Sequence, residues 1–296
     1  MAIDNINKMI PEYIDLHIHT TVSDGTDTPE EIINKVRAAG IDMFSITDHD
    51  AIDGAVEVSK ITAKDDYTPV FIKGIEFSCR DSFGKYHILG YDYDETKAEF
   101  TDVVKWSHEM RISKVKARIE FLKSEFGFSF SKDDIQKLFQ NSNPGKPHIA
   151  KMMIKYGYAS SVKEAFNNYL NRKKFPNEYL TPEKAIRAVI GGNGIPVLAH
   201  PAYGDGSQLI IGEDMDKRLK RLKEFGLQGI ECYYSAFTPK LVQEMLDFAD
   251  KYDFLVTAGS DYHGLNKLVM LGDTNLKKVS EGSRRLRDFL ERKSFR

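Results

Sequence analysis

The chain has 296 residues, of which 41% are hydrophobic and 29% charged, with a formal net charge of −2. That length holds one large α/β domain or two ordinary ones, and the composition excludes a disordered chain. The charge gives no whole-protein pull toward nucleic acid or an acidic membrane, and no stretch reaches the roughly 20 apolar residues of a bilayer span.

The first element is a strand over Tyr13–His19, in which Ile14, Leu16 and Ile18 alternate with Asp15, His17 and His19. His17 and His19 therefore project from one side of it. Thr28-Pro29-Glu30-Glu31 then starts a helix, with Thr28 and Glu31 as a capping box and Pro29 at the first helical position. Ala39-Gly40 stops it, and Ile41–Thr47 is a strand ending in Asp48-His49-Asp50. A helix over about 53–64 leads to a strand from Pro69 to Phe77, carrying Glu76 near its end. His87–Tyr91 is a short apolar strand opened by its histidine.

From about Phe100 to Leu180 the pattern gives helices and no strand. A long charged amphipathic helix carries Val103, Trp106 and Met110, and later Ile119, Phe121 and Leu122. Ser131 opens a second helix, Pro147 a third, and Ser161-Val162-Lys163-Glu164 is a capping box for a fourth. Helix upon helix between strand–helix units predicts an inserted module over 100–180 within a domain formed by 1–99 and 181–296.

The alternation then resumes. Thr181-Pro182 opens a helix, Ile195–Ala199 is a strand ending in His200, and a charged helix runs to Phe225. Leu227–Glu231 is a strand, Thr238-Pro239 opens a helix, and Phe254–Gly259 is a strand ending in Ser260-Asp261-Tyr262-His263. A last helix, about 281–293, puts Leu286, Phe289 and Leu290 on one face and a solvated cationic face on the other. About seven strands, most followed by a helix, predict parallel neighbours with right-handed crossovers. Six of them bear a candidate ligand at their C-terminal end, where an α/β barrel keeps its active site. A doubly wound open sheet is the rival, but it needs no such ring of ligands.

A lone His-x-His on a strand is more often two half-exposed polar residues. Here six of the eight histidines, namely His17, His19, His49, His87, His200 and His263, sit in short motifs with an acid, another histidine or a strand end. With Asp24, Glu76 and Asp261 they form a set of nine, enough for two or three divalent ions with positions open for water and substrate. Adjacent ions of this kind lower the pKa of a water toward about 7 and neutralise a phosphoryl group. Cys79 and Cys232 are read as small buried thiols, which with the absence of a basic, apolar N-terminal leader favours a soluble cytoplasmic protein. His108 is read as a surface residue.

These motifs resemble those of the PHP (polymerase and histidinol phosphatase) family of metal-dependent phosphoesterases. The stretches are Asp15-Leu16-His17-Ile18-His19, Ser23-Asp24-Gly25, Ile46–Asp50, Gly74-Ile75-Glu76, His87–Tyr91, Ala199-His200-Pro201 and Gly259–Gly264. The resemblance implies a distorted seven-stranded (β/α) barrel with a helical cap and a trinuclear centre of manganese, iron or zinc. It places His17, His19, Glu76 and Asp261 on the first metal and lets Glu76 bridge to a second completed by His87 and His200. Asp24, His49 and His263 would hold the third, and these three are also the expected catalytic group.

Pro147-His148-Ile149-Ala150 and Ser161–Phe166 narrow the likeness to the subgroup of nucleoside 3′,5′-bisphosphate phosphatases, some of which trim short RNA from the 5′ end. The implied reaction is attack by a hydroxide shared between metals on the phosphomonoester of a small nucleotide. Arg80, Lys146, His148 and Tyr203 are the candidate substrate-binding residues, Asp48 or Asp50 is expected to orient a ligand histidine, and Glu231 to support the cluster from behind. Where the subgroup often carries arginine after His-Pro-x, this chain has Tyr203. Alternatives are a histidinol-phosphate phosphatase, a 5′–3′ exonuclease on short single-stranded RNA, and a non-catalytic metal-stabilised binding domain. A cap over the site predicts a small or single-stranded partner and no duplex.

Overall fold

The computed structural model describes residues 10–64, 69–141, 143–173, 179–204 and 209–292. Seven strands follow one another around a single sheet: β1 (Ile14–Ile18), β2 (Met43–Ile46), β3 (Val70–Asp81), β4 (Gly84–Tyr91), β5 (Ile195–Leu198), β6 (Gly229–Tyr234) and β7 (Leu255–Gly259). The helices α1 (Pro29–Ala38) and α2 (Asp53–Thr62) follow β1 and β2. Between β4 and β5 lie α3 (Ala98–Phe126), α4 (Lys132–Gln140), α5 (Lys146–Lys155), α6 (Val162–Glu164), a π-helical turn (Ala165–Leu170) and α7 (Pro182–Gly191). Last come α8 (Gly212–Glu224), α9 (Pro239–Tyr252) and α10 (Arg284–Leu290). The sheet closes at one end, where the His17 carbonyl accepts from the Asp261 N–H (2.9 Å) and the His19 N–H donates to the Tyr262 carbonyl (2.9 Å). This is a nearly closed seven-stranded α/β barrel.

Local chemistry explains most boundaries. Thr28 and Glu31 cap α1 reciprocally, at 3.2 and 2.8 Å, and the hydroxyls of Ser131, Thr181 and Thr238 cap α4, α7 and α9. Gly127 takes the left-handed conformation (φ 68°) that ends α3. At Ser161 only half of the expected capping box forms. Its hydroxyl accepts from the Glu164 N–H, but the Glu164 carboxylate turns back to Ser160, and the helix passes at once into the π-helical turn.

One strand runs against expectation. β4 is antiparallel to both neighbours, because only Ser82 and Phe83 separate it from β3, and a two-residue link can only make a hairpin. β3 is correspondingly longer than predicted, reaching Asp81. β4 starts at Gly84, three residues before the expected opening at His87, and in the first half of this antiparallel strand His87 lies at the same barrel end as residues that finish parallel strands.

The largest apolar core lies between the strands and α7–α10. A separate cluster, including Val115, Leu122, Leu138, Ile149 and Met153, holds the helical module together. A third packs α1 and α2 on β1 and β2. No helix among the described residues is long and apolar enough to cross a membrane.

Candidate metal centre

β1 has both faces buried, and His17 within it and His19 just past its end are both shielded from solvent. Their rings lie 5.2 Å apart, and around them the strand ends bring in the rest of the set. Glu76 of β3 is the hub. Its Oε1 lies 2.9 Å from His87 Nδ1, 3.1 Å from His200 Nε2 and 3.4 Å from His17 Nε2, while Oε2 lies 3.0 Å from His49 Nδ1 and 3.2 Å from His19 Nε2. Asp261 Oδ1 lies 3.3 Å from both His19 Nε2 and His263 Nδ1, and Asp24 Oδ1 lies 3.3 Å from His263 Nε2. All nine predicted residues therefore meet in one cluster. His200 (φ 27°) and Asp261 (φ 58°) hold positive φ at their strand ends, strain of the kind that functional sites store.

The donor set fits metal ions. His17 Nε2, His19 Nε2, Asp24 Oδ1, His49 Nδ1 and Glu76 Oε2 are buried and make no hydrogen bond, an arrangement that is costly unless a cation completes it. Three groups have ligand atoms close enough for one ion each: His19, Asp24, His49 and His263; His17, His19 and Glu76; and His49, Glu76 and His87. Burial raises the proton affinity of Glu76, but the imidazoles of His87, His49 and His17 outweigh it and hold the carboxyl well below the usual carboxylate range. Burial drives His49 well below the ordinary imidazole value, although Glu76 and Asp24 oppose it. Both effects keep these two ligands deprotonated, whereas at His17 and His19 burial is outweighed by the surrounding carboxylates, which hold His17 well above the ordinary imidazole value and His19 up at about 9, so that a metal ion would displace a proton at each.

Behind the cluster, Glu231 is fully buried between His17 Nδ1 (2.9 Å) and the His200 N–H (2.7 Å). It fixes the His17 ring so that Nε2 faces Glu76. Asp48 reaches His19 only through Ser23, whose hydroxyl donates to Asp48 at 2.6 Å and lies 3.4 Å from His19 Nδ1. Asp50 makes no hydrogen bond to a histidine among the described residues; it accepts from the Ser78 N–H and pairs with Arg111 of α3 at 2.9 Å. Asp48 thus supports His19 indirectly, the expectation fails for Asp50, and Glu231 makes the direct contact with a ligand histidine. Glu231→Gln is expected to weaken manganese binding about 10–100-fold, read by metal titration of the apoprotein; unchanged affinity would remove this role.

Two cavities meet at the cluster, both lined by His49 and His87. The first, 340 Å³, extends from Asp24 beneath the helical module and is lined by six cations: Arg80, Lys85, Arg111, Lys114, Arg118 and Lys146. The Arg80 guanidinium and the Lys114 ammonium lie 5.1 and 3.8 Å from the centre of the Tyr179 ring. Lys146 also bonds Asn171 at 2.9 Å. His148 does not line this cavity: its Nδ1 accepts the Gly145 N–H at 3.1 Å, capping α5, and the ring borders a separate crevice of the helical module. Tyr203 lines the second cavity, 410 Å³, with Tyr234 and Lys267. Arg111, Lys114 and Arg118 lie outside the expected set, because the apolar residues of α3 dominate its pattern. Their spacing of three and four, which puts them on one helical face, was the available signal.

The PHP domain model matches residues 15–180. A 5′-3′ exoribonuclease of Haemophilus influenzae is 27% identical over 258 residues, covering 84% of this chain and 89% of its own. A 3′,5′-nucleoside bisphosphate phosphatase of Chromobacterium violaceum is 26% identical over 263 residues, covering 84% and 87%. A solved structure from Bifidobacterium adolescentis, assigned as a metal-dependent phosphoesterase, superposes with a TM-score of 0.77 at 28% identity, over 88% of this chain and 91% of that one. With the family model covering more than half its length, the chain belongs to the PHP domain family of metal-dependent phosphoesterases.

Proposed function

We propose that this protein hydrolyses the phosphomonoester of a small nucleotide bearing two phosphates, converting a nucleoside 3′,5′-bisphosphate to the 5′-monophosphate and inorganic phosphate. One observation carries the reading: a single cavity is lined both by Asp24, His49 and His87 of the acid–histidine cluster and by six cations. A substrate with one phosphate to be cleaved and another to be held matches both parts of that lining.

In this reading His17, His19, Glu76 and Asp261 would hold one ion, Glu76, His87 and His200 a second, and Asp24, His49 and His263 a third. Bound manganese, iron or zinc would neutralise phosphoryl charge and lower the pKa of a water. The chain's own residues do the rest. Glu231 keeps the His17 ring oriented, while Arg80, Lys114, Arg118 and Lys146 take the distal phosphate. The module over 100–180 acts as a cap that excludes duplexes. Two buried free cysteines accord with a reducing, cytoplasmic setting.

A second reading, removal of nucleotides from short single-stranded RNA, is favoured by the second cavity, which leaves room at the cluster for a longer leaving group. Phosphate release by the manganese-loaded protein from adenosine 3′,5′-bisphosphate, 5′-AMP and histidinol phosphate tests the first, with a short 5′-labelled RNA alongside. The bisphosphate should be preferred. A higher kcat/KM for RNA would shift the assignment to the second reading, and preference for histidinol phosphate would overturn both.

A further inference from the structure

The second cavity presents two carboxylates, Glu76 and Asp261, to any phosphoryl group entering it. Among the described residues lining it, Lys267 is the only lysine or arginine. Its ammonium lies 2.5 Å from Asp261 Oδ2, which also accepts from the Tyr234 hydroxyl at 2.9 Å. Both partners thus sit on one oxygen of Asp261, and the other, Oδ1, is turned to His17, His19 and His263. An ammonium carries three donors, and Asp261 is the hydrogen-bond partner that Lys267 has among the described residues. Two donors remain for a ligand, and the side chain, 39% exposed, has room to move toward one.

Across the cavity, Tyr203 cannot supply charge. Its hydroxyl donates to the Ala236 carbonyl (3.2 Å), and its ring packs 5.4 Å from that of Phe237. We infer that Lys267 is a substrate-binding residue of this centre, delivering a cation from the loop after β7 to a non-bridging oxygen of the phosphoryl group. A compact ammonium on a flexible stem suits this, because it can hold Asp261 and an oxygen anion together. Tyr203 and Tyr234 then serve as the uncharged wall against which that group is held.

The inference rests on the phosphoesterase reading, but not on which phosphoester is cleaved. Its test uses the manganese-loaded protein and Lys267→Met and Lys267→Arg variants, with calorimetric titration of inorganic phosphate and a separate manganese titration of the apoprotein. The methionine variant is expected to retain manganese stoichiometry, bind phosphate about tenfold more weakly and lose about 100-fold in kcat/KM. The arginine variant should recover most of both. Unchanged phosphate affinity in the methionine variant would overturn the proposal. So would a fall in manganese stoichiometry that arginine fails to restore, since Lys267 would then act only by holding Asp261. Failure of the wild type on nucleotides, with phosphate binding still dependent on Lys267, would overturn the substrate reading alone.

Discussion

Glu76→Gln is expected to lower turnover about 10³-fold or more while leaving the barrel folded. The carboxylate faces five imidazoles, three on one oxygen and two on the other, at 2.9–3.4 Å. Glutamine keeps the shape but removes the charge and points an NH₂ donor at nitrogens that must stay free to bind a cation. The backbone has independent support: the Glu76 N–H donates to the Asp48 carbonyl, and the Asp50 N–H donates to the Glu76 carbonyl. Circular dichroism should therefore be unchanged, while manganese titration should show fewer ions bound. Wild-type turnover in this variant would sink the assignment of Glu76 as the hub.

The second large effect is expected in the cationic cavity. Lys114→Met should raise KM for a bisphosphate about 10–100-fold, the range of one hydrogen bond to a charged group, and barely change kcat or KM for a singly phosphorylated substrate. The same residue gives a pH signature. Burial lowers the Lys114 pKa to about 8; Asp50 opposes this, while Arg118, Arg111 and Arg80 push the same way. The ammonium is charged below pH 8 and neutral above it, so KM for the bisphosphate should rise as pH passes upward through about 8. Lys114→Arg, always protonated, should abolish that rise. A KM that is flat with pH in the wild type, together with no effect of methionine, would remove the distal phosphate from this cavity.

Much of the centre was legible before any fold was known. Alternation along β1 is a local rule, and it placed His17 and His19 on one side. Residues at the ends of successive parallel strands must share one rim, and that brought together His49, Glu76, His200, Asp261 and His263. The direction of β4 was also within reach, because the nine residues 78–86 between the two expected strands are fewer than a parallel crossover needs. His148 was read for charge, whereas its ring caps α5.

The sequence by itself determined the fold class, the set of metal-ligand candidates and the presence of a helical module, because each follows from short-range period, capping or strand-end position. Only the tertiary structure decided which side chains act together from afar. Glu231 reaches His17 across 214 positions and Asp15 meets Ser260 across 245. The face of α3 bearing Arg111, Lys114 and Arg118 turns toward the cluster, and Lys267 comes to rest on Asp261. Helical period says which residues share a face, but what that face opposes depends on how α3 packs against the barrel. Electrostatic partners are chosen by distance in space, and chain closure sets that distance.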